Sequence, residues 1–438
     1  LNEIIRHTPC ITICYAKPFP KNGRSLPVMA ATQYSKWLLT VIFTASFFAA
    51  KTQLYFDKEK IISPYTIQNE KAEKRKQRLI DQANSLNTLN IDSSDGELES
   101  ALWAVGQFLV RTPQSDAGVA RLMQQFGRLS SGNQRALMEL VYGLYPNTFV
   151  TEAKRIVQQT DHPKLFAQTA SYLYRADASL QNWLLQLLPK RFPNYSSHDL
   201  LIALQQHLQK SNAATLPALD SLFAHQQLHK FKVVYSFQRS HRNAPGLAVV
   251  QQADGRFAKD EQGQLKSFVQ LARSASNLPY FITNGSTPQG LYAITGTGIS
   301  KNVFIGPTPN LQMVMMHEVN PPTFTHYFPI VFNAPPEKLY RSYFPSNWQQ
   351  WSGLMEAYQA GKIGRSEIIA HGTTIDPEWF KGQPYYPISP TLGCLCGREI
   401  WDPKTGKISN SDQLNLVNTF IETPGTKGYL IVLNLDDK

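Results

Sequence analysis

The spacing of apolar residues along this 438-residue chain changes near Leu228. Between Leu98 and Leu109, apolar residues recur at i, i+4, i+7 and i+11, which is the spacing of one face of an α-helix. Residues 231–237 instead alternate around β-forming side chains, the pattern of a strand. The sequence therefore predicts a multidomain α+β protein, in which a helical domain precedes a mostly β domain.

Helical spacing continues beyond Leu109 in further segments, which short turn sequences separate. Short helices joined by tight turns are typical of an α-hairpin stack of the solenoid kind. Because the sequence shows no strict repeat, a compact helical bundle is the alternative. The helical segments are residues 120–129, 134–144, 151–158, 164–174 and 198–209, and the turns are residues 111–113, 130–132, 145–147 and 161–163.

Strand signals dominate after residue 228, with the frequent Pro and Gly of a loop-rich β architecture. Asp254 and Gly255 predict a hairpin-type turn. One helix is expected at residues 345–360. The expected strands are residues 231–237, 247–250, 290–294, 312–316 and 428–433.

These patterns divide the chain into four parts. Residues 1–57 form an N-terminal extension, and residues 58–95 are polar and charged, which predicts a linker with some helix at 70–83. Residues 96–226 form the helical accessory domain, and residues 228–438 form the mostly β domain. A change of pattern this sharp predicts that the last part folds alone.

An uncharged apolar run of 14 residues occupies positions 37–50, and Arg24 and Lys36 precede it. With Met29 as a start, this is the pattern of a secretory signal peptide. The run is shorter than the ~20 residues of a membrane span, yet no clean cleavage site follows it, so an uncleaved anchor and a buried core helix are the alternatives. We expect the rest of the chain to be periplasmic, either free or anchored to the inner membrane.

The formal net charge of +11 would suit nucleic acid or residence near an anionic polymer or membrane, and the charge alone does not separate these. Its densest basic run, residues 71–78, is interleaved with Glu70, Glu73 and Asp81, as on a solvated helical face. No nucleic-acid motif accompanies it, so no nucleic-acid partner is expected. The cysteine and histidine spacings match no metal-site pattern, and no metal or other cofactor is expected.

The residues that suggest chemistry are His371 and Cys394. A catalytic thiol needs a base to become a thiolate near neutral pH. Gly393 permits a tight turn, so that successive N–H groups point at one developing oxyanion, and Thr391 is placed to brace this loop. The alternative is that Cys394 and Cys396 are ordinary core residues, which buried cysteines often are. A disulfide between them would close a strained ring and is not expected.

The order of these motifs resembles the catalytic domain of the L,D-transpeptidases. His371, Gly372 and Thr373 are followed 20 residues later by Thr391-Leu-Gly-Cys-Leu. Residues 284–294, which read Asn-Gly-Ser-Thr-Pro-Gln-Gly-Leu-Tyr-Ala-Ile, are similar to an early strand of that family, and residues 428–433 fit its closing strand. The resemblance covers about residues 228–438 and does not extend to residues 58–225.

This resemblance implies a mostly β domain with two facing sheets and a reaction on peptidoglycan. The family cuts a stem tetrapeptide between its third residue and D-Ala, holds the acyl group as a thioester, and passes it to an amine of a neighbouring stem. By resemblance, Cys394 is the nucleophile, His371 its base, and the Gly372 carbonyl the third member. Gly393 and Cys394 would supply the oxyanion N–H groups.

Three departures separate this chain from the family pattern, and the last of them concerns the substrate. The spacer after His371 is longer, Leu392 stands where a second His is common, and Cys396 stands where the family has Arg or Asn. Arg398 is the expected replacement. Two further residues of the early strand motif complete the expected substrate contacts, which are Arg398, Thr287 and Gly290.

Two other functions remain compatible with these residues. Water in place of the amine would give an L,D-carboxypeptidase. A catalytically lapsed, exported scaffold would instead use the helical domain to bind a protein partner, a role that this domain could also have in an active enzyme. His317 and Glu318 are interpreted as residues that line the cleft or as ordinary surface contacts.

Overall fold

The structure is a computed structural model that describes residues 55–209, 216–229, 231–327, 335–425 and 427–435. The apolar run at residues 37–50 lies outside this range. Among the described residues, no helix has both the length and the apolar character needed to cross a membrane.

Nine α-helices make up the described part of the chain before the first strand. The predicted segments and turns are confirmed as a helical region, and two of the turns begin new helices with side-chain caps, from Thr112 and Ser130. At the turn of residues 111–113, Thr112 and Ser115 form a reciprocal capping box, and Pro113 occupies the first helical position between them. The helices are α1 Glu70–Asn84, α2 Asp95–Phe108, α3 Pro113–Gln124, α4 Ser131–Leu144, α5 Val150–Gln159, α6 Pro163–Ala176, α7 Gln181–Arg191, α8 Asp199–Leu208 and α9 Leu219–His229.

Residues 58–95 belong to the same folded unit as the rest of the described chain and do not form a free linker. Ala83 and Leu86 are fully buried against the helical region. Ahead of α1, Ile62 forms an antiparallel bridge with Lys407, far along the sequence. The expected helix at 70–83 is present. The apolar residues that pack this segment against the core are few and stand among many charged residues, so the sequence pattern did not predict its burial.

Ten strands follow in the described residues, and eight of them form one sheet that closes into a barrel in the order β1-β10-β4-β5-β6-β7-β3-β2. The remaining two, β8 and β9, form a separate antiparallel pair. The strands are β1 Lys232–Arg239, β2 Gly246–Gln251, β3 Ser267–Leu271, β4 Gly290–Gly298, β5 Asn310–Val314, β6 Ala370–His371, β7 Leu395–Gly397, β8 Glu399–Trp401, β9 Ile408–Ser411 and β10 Gly428–Leu435.

A sheet closed in this way replaces the two facing sheets that the resemblance implied. Its interior is filled by alternate side chains of the strands together with helix α13, Asp412–Glu422, whose Leu416, Val417 and Phe420 are buried there. The remaining described helices are α10 Pro321–Phe324, α11 Pro336–Arg341 and α12 Met355–Ile363. The helix expected at 345–360 therefore begins ten residues later, at Met355.

The helical region and the closed sheet share a hydrophobic core. Leu278, Phe281 and Ile282, from the loop between β3 and β4, are at most 3% exposed and pack into the core of helices α2–α8. The boundary near residue 228 is thus a change of secondary structure and not a boundary between independent cores. A fragment of residues 228–438 would expose these three side chains to water.

Candidate active site

Cys394 and His371 lie on neighbouring strands of the closed sheet. Strands β6 and β7 are parallel, with Ala370 beside Leu395 and His371 beside Cys396. Cys394 immediately precedes β7, and the Leu395 N–H donates to the Ile369 carbonyl at 3.0 Å. This register puts Cys394 and His371 two positions apart on adjacent strands, with Cα atoms roughly 8 Å from one another.

Both residues lie outside the filled interior of the sheet. Ala370 and Leu395 point into that interior, where they are fully buried. Because side chains alternate along a strand, His371 and Cys396 face the opposite side. Cys394 precedes Cys396 by two residues, so the sequence places all three on one face. The Cys394 side chain and the His371 imidazole therefore lie on the same side of adjacent strands.

The imidazole of His371 is buried and held in one tautomer. Its Nδ1 donates to the Gly372 carbonyl at 2.5 Å, so Nε2 is the ring nitrogen left to accept a proton. Burial lowers the pKa of His371, and the hydrogen bond to Gly372 opposes that effect. The ring is therefore neutral at pH 7, which is the state a general base needs.

Gly372 is required because a carboxyl group occupies the space of its side chain. A Cβ at this position would lie 2.2 Å from Oε1 of Glu399. Glu399 accepts from the Thr373 N–H at 2.7 Å and from the Ser411 hydroxyl at 2.9 Å. Burial raises the pKa of Glu399 to about 7. This carboxyl holds the segment that carries His371 and was not identified from the sequence, where Glu399 is an isolated acid.

The loop that presents Cys394 is fixed by two threonines. Gly393 has φ of +117°, a conformation that glycine adopts readily and other residues avoid. The Thr287 hydroxyl donates to the Gly393 carbonyl at 2.9 Å, and the Thr391 hydroxyl donates to the Cys394 carbonyl at 2.8 Å. Thr391 thus braces the loop, and Thr287 does so from the strand motif on the other side.

The expected pair of oxyanion donors is reduced to one. The Gly393 N–H donates to the Thr391 hydroxyl at 3.0 Å, so it is occupied and cannot serve as an oxyanion donor in this conformation. Across the described part of the chain, the Cys394 N–H makes no hydrogen bond. The Cys394 N–H is therefore the donor that this loop offers to a developing oxyanion.

The Cys394 thiol is partly exposed and protonated. Its Sγ–H donates to the Glu367 carbonyl at 3.5 Å. Burial raises the pKa of Cys394 to about 11, while the Ile369 N–H and the Arg365 guanidinium lower it. A thiol of this kind needs a base to become nucleophilic, and it must turn away from Glu367 to reach that base.

Glu318 positions Glu367, whose carbonyl accepts the hydrogen bond of the Cys394 thiol. The backbone of Glu367 has φ of +61°, which is unfavourable for a residue with a side chain. Its N–H donates to the Glu318 carboxylate at 2.9 Å. Glu318 therefore contacts the wall of the site. Its neighbour His317 instead packs edge-on against Tyr358, with ring centroids 4.6 Å apart.

Arg365 is a buried guanidinium behind the Cys394 loop, and no sequence pattern indicated it. It donates to the carbonyls of Tyr280, Ser286 and Gly285, the last at 2.9 Å. Its positive charge lowers the pKa of Cys394. Because its donors are directed at carbonyl groups, Arg365 acts on the loop and on the thiolate charge and is not placed to bind substrate.

The helical region contributes a carboxyl group to this network. Glu139 on α4 accepts a hydrogen bond from the Asn284 amide at 3.1 Å. Burial raises the pKa of Glu139 to about 7, and Asn284 and the charge of Arg365 oppose that effect. The wall behind Cys394 is therefore built from both parts of the chain.

The three residues expected to bind substrate have other contacts. Thr287 is 1% exposed and braces the Cys394 loop, as described above. Gly290 is buried with φ of +118°, where a Cβ would meet the Leu354 carbonyl at 2.4 Å. Arg398 pairs with Asp412 through its Nε at 2.7 Å. Thr287 and Gly290 are therefore structural, and Arg398 stabilises the start of α13.

Cys396 is separated from the site by its burial. It is fully buried against Leu271, Phe380, Tyr385 and Ile388. Both cysteines are free thiols. The sequence suggested that both sulfurs could reach one cleft, but the structure gives Cys396 the role of a small core residue.

No protein-family model, no curated protein and no solved structure matches the chain. Within the described ranges, no group of three or more His, Cys, Asp or Glu side chains could hold a metal ion. The function must therefore be argued from the arrangement around Cys394 and His371.

Proposed function

We propose that the protein is an exported cysteine acyltransferase of the L,D-transpeptidase type, which acts on peptidoglycan stem peptides. The observation that carries the proposal is the neutral His371, locked by the Gly372 carbonyl with Nε2 free, on the strand beside Cys394. We infer the substrate class, peptidoglycan stem peptides, from the order of the motifs in the sequence. We infer the location outside the inner membrane from the apolar run at residues 37–50.

The reaction begins with rotation of the Cys394 side chain from the Glu367 carbonyl toward His371. Nε2 takes the thiol proton, and the thiolate attacks the carbonyl carbon of the scissile amide. The Cys394 N–H stabilises the oxyanion, and the nearby Arg365 charge stabilises the thiolate before attack. The C–N bond then breaks, the leaving amine takes the proton from His371, and the acyl group remains as a thioester.

The second half of the reaction needs an acceptor. An amine of a neighbouring stem gives up its proton to His371 and attacks the thioester, so that a new amide forms and the thiol is restored. Water in the same place would give a carboxypeptidase. The helical region, which supplies Glu139 to the site wall, is the surface we assign to a protein partner.

The nucleophile is tested by intact-mass detection of a carbapenem adduct, since carbapenems acylate this family. The wild type should gain one adduct, Cys394→Ala none, and Cys396→Ala one, because Cys396 lies in the core. His371→Ala should slow adduct formation by about 10²–10⁴, as loss of a general base does. An adduct on Cys394→Ala that disappears in Cys396→Ala would reverse the assignment.

A catalytically lapsed scaffold is the second candidate, and one observation favours it. Burial raises the pKa of Cys394 to about 11, and its proton is directed to Glu367. If no cysteine of the folded wild type ever acylates, this candidate replaces the enzyme. If a stem tetrapeptide acylates Cys394, joined stems among the products identify a transpeptidase, and the shortened peptide alone identifies a carboxypeptidase.

A further inference from the structure

A second buried guanidinium near the Cys394 loop has donors without acceptors. Arg273 follows the end of β3, is 9% exposed, and stacks over the Tyr385 ring at 5.0 Å. Within the described residues, its Nε and Nη1 have no hydrogen-bond partner. Leaving buried charged donors unsatisfied costs about 1–3 kcal/mol or more for each group, so folded proteins rarely do so without a ligand or water.

Two hydroxyl groups close to Arg273 in the fold share this property. The Tyr385 hydroxyl and the Ser389 hydroxyl are buried, in residues only 1% exposed. The Tyr385 oxygen interacts with the Arg273 guanidinium, which can only donate, so in the part of the chain that the structure describes neither hydroxyl has an acceptor for its proton. Three donor side chains from two segments are therefore left without acceptors. An oxyanion with several lone pairs would satisfy them together.

The charge around this cluster is positive. Burial lowers the pKa of Arg273, the interaction with Tyr385 opposes that effect, and repulsion from Arg175, on α6, lowers the pKa further. Arg175 donates to the Tyr142 carbonyl at 2.7 Å, and no carboxylate is recorded as an ion-pair partner of either guanidinium in the described ranges. The contrast with Arg365 is informative, because the Arg365 donors are taken up by backbone carbonyls.

The cluster adjoins the candidate nucleophile. The Arg273 carbonyl accepts from the Thr391 N–H at 3.2 Å, and Thr391 in turn holds the Cys394 carbonyl. In the register of β3 and β7, Leu271 pairs with Cys396, and both pack with Tyr385. Arg273 follows Leu271 by two residues, so it lies on the same face of the sheet as Leu271 and at the end that is nearer to Cys394.

We propose that Arg273, Tyr385 and Ser389 form a carboxylate-binding subsite beside Cys394. This inference rests on the proposed function. The subsite holds a carboxylate of the acyl-donor peptide and so places the scissile amide near the thiol. Guanidinium forks suit carboxylates because two parallel N–H groups match the two oxygens. The carboxylate is either the terminal one of the peptide or an internal side-chain one, and amidation of each separates the two sources.

The first test measures anion binding without catalysis. Malonate should raise the melting temperature of the wild type above that in chloride at equal ionic strength, and Arg273→Gln should abolish the shift. Tyr385→Phe, which keeps the stacking but removes one donor, should reduce it, so the test survives if Arg273→Gln fails to fold. Arg256→Gln is the control, because Arg256 is exposed and paired with Asp254; it should leave the shift unchanged. A shift that is absent in the wild type, or that persists in Arg273→Gln, overturns the subsite.

The second test measures the rate at which a stem tetrapeptide acylates Cys394. Amidation of the bound carboxylate should slow the wild type about 10- to 100-fold, the loss expected for a charge-assisted hydrogen bond. Arg273→Gln should react equally slowly with both peptides. If Cys394 acylates but Arg273→Gln retains the preference, the inference fails and the proposed function stands. If Cys394 never acylates while the malonate shift depends on Arg273, the subsite stands and the proposed function fails.

Discussion

Replacement of Gly393 by Ala tests whether the Cys394 loop is held as tightly as its contacts indicate. At φ of +117°, any residue with a Cβ is strained by about 1–3 kcal/mol. The added Cβ would also lie 2.4 Å from the Arg365 Nη2 and 2.7 Å from the Gly285 carbonyl. Neither atom can move freely, since Nη2 donates to that same carbonyl. Overlap in a packed interior costs a further 1–3 kcal/mol or so.

The matched control is Gly425→Ala. Gly425 has φ of +100°, is exposed, and would place a Cβ in open space, so it carries the backbone strain without the overlap. The free energy of unfolding from urea titrations should therefore fall by about 1–3 kcal/mol more in Gly393→Ala than in Gly425→Ala. Displacement of the loop by about 1 Å should also slow carbapenem acylation of Cys394 on the order of 100-fold. Equal destabilisation in the two variants, with acylation at the wild-type rate, would refute this account of the loop.

Two further predictions concern stability. A fragment of residues 228–438 should lack a cooperative thermal transition by circular dichroism, because it exposes Leu278, Phe281 and Ile282, each worth about 1.5–3 kcal/mol when buried; a sharp melt at the temperature of the full chain would contradict the shared core. Glu399 has a pKa raised to about 7 by burial, against an ordinary 4.5, so the folded state keeps a proton that the unfolded state loses. Protonated Glu399 therefore stabilises the folded state fully below pH 4.5, and this stabilisation is lost as the pH rises to about 7. The free energy of unfolding falls by up to about 3 kcal/mol over that range. Glu399→Gln should flatten this part of the urea midpoint curve relative to the wild type, and an unchanged curve would show that Glu399 is not the titrating group.

Local patterns predicted the elements whose signals are local. Apolar spacing and turn residues located α2 to α6 and α8, and alternation located β1, β2, β4 and β10. Helix α7 was missed because Pro189 lies inside it, where a pattern search sees a breaker. Helix α13 was missed because its apolar side chains serve the sheet interior, which the sequence does not reveal.

The residues of the candidate site fall into the same two groups, those with a local sequence signal and those without one. His371, Gly372, Thr391 and Cys394 stand in two short motifs, so their proximity could be predicted from the order of those motifs alone. The residues that complete the site are single side chains from distant segments. Arg365, Arg273, Glu399, Glu318 and Glu139 reach it only after the sheet closes and the helices pack.

Thr287 shows why a motif match did not give the right role. The sequence placed it near the site, and the structure does so too, but its hydroxyl donates to the Gly393 carbonyl. Whether a polar side chain faces substrate or backbone depends on one rotamer and one carbonyl position. Neither is encoded in the spacing of a motif.

The position of the last strand has a consequence for how the chain folds. Strand β10 lies between β1 and β4, and it pairs in parallel with β1 from Lys232↔Gly428 to Arg239↔Leu435. Until β10 is in place, β1 and β4 each present an unpaired edge, and the apolar side chains of the interior stay open to water. A chain truncated before β10 should therefore be prone to aggregate and is a natural client for chaperones. Pairing of β10 is thus the step that commits the chain to its fold.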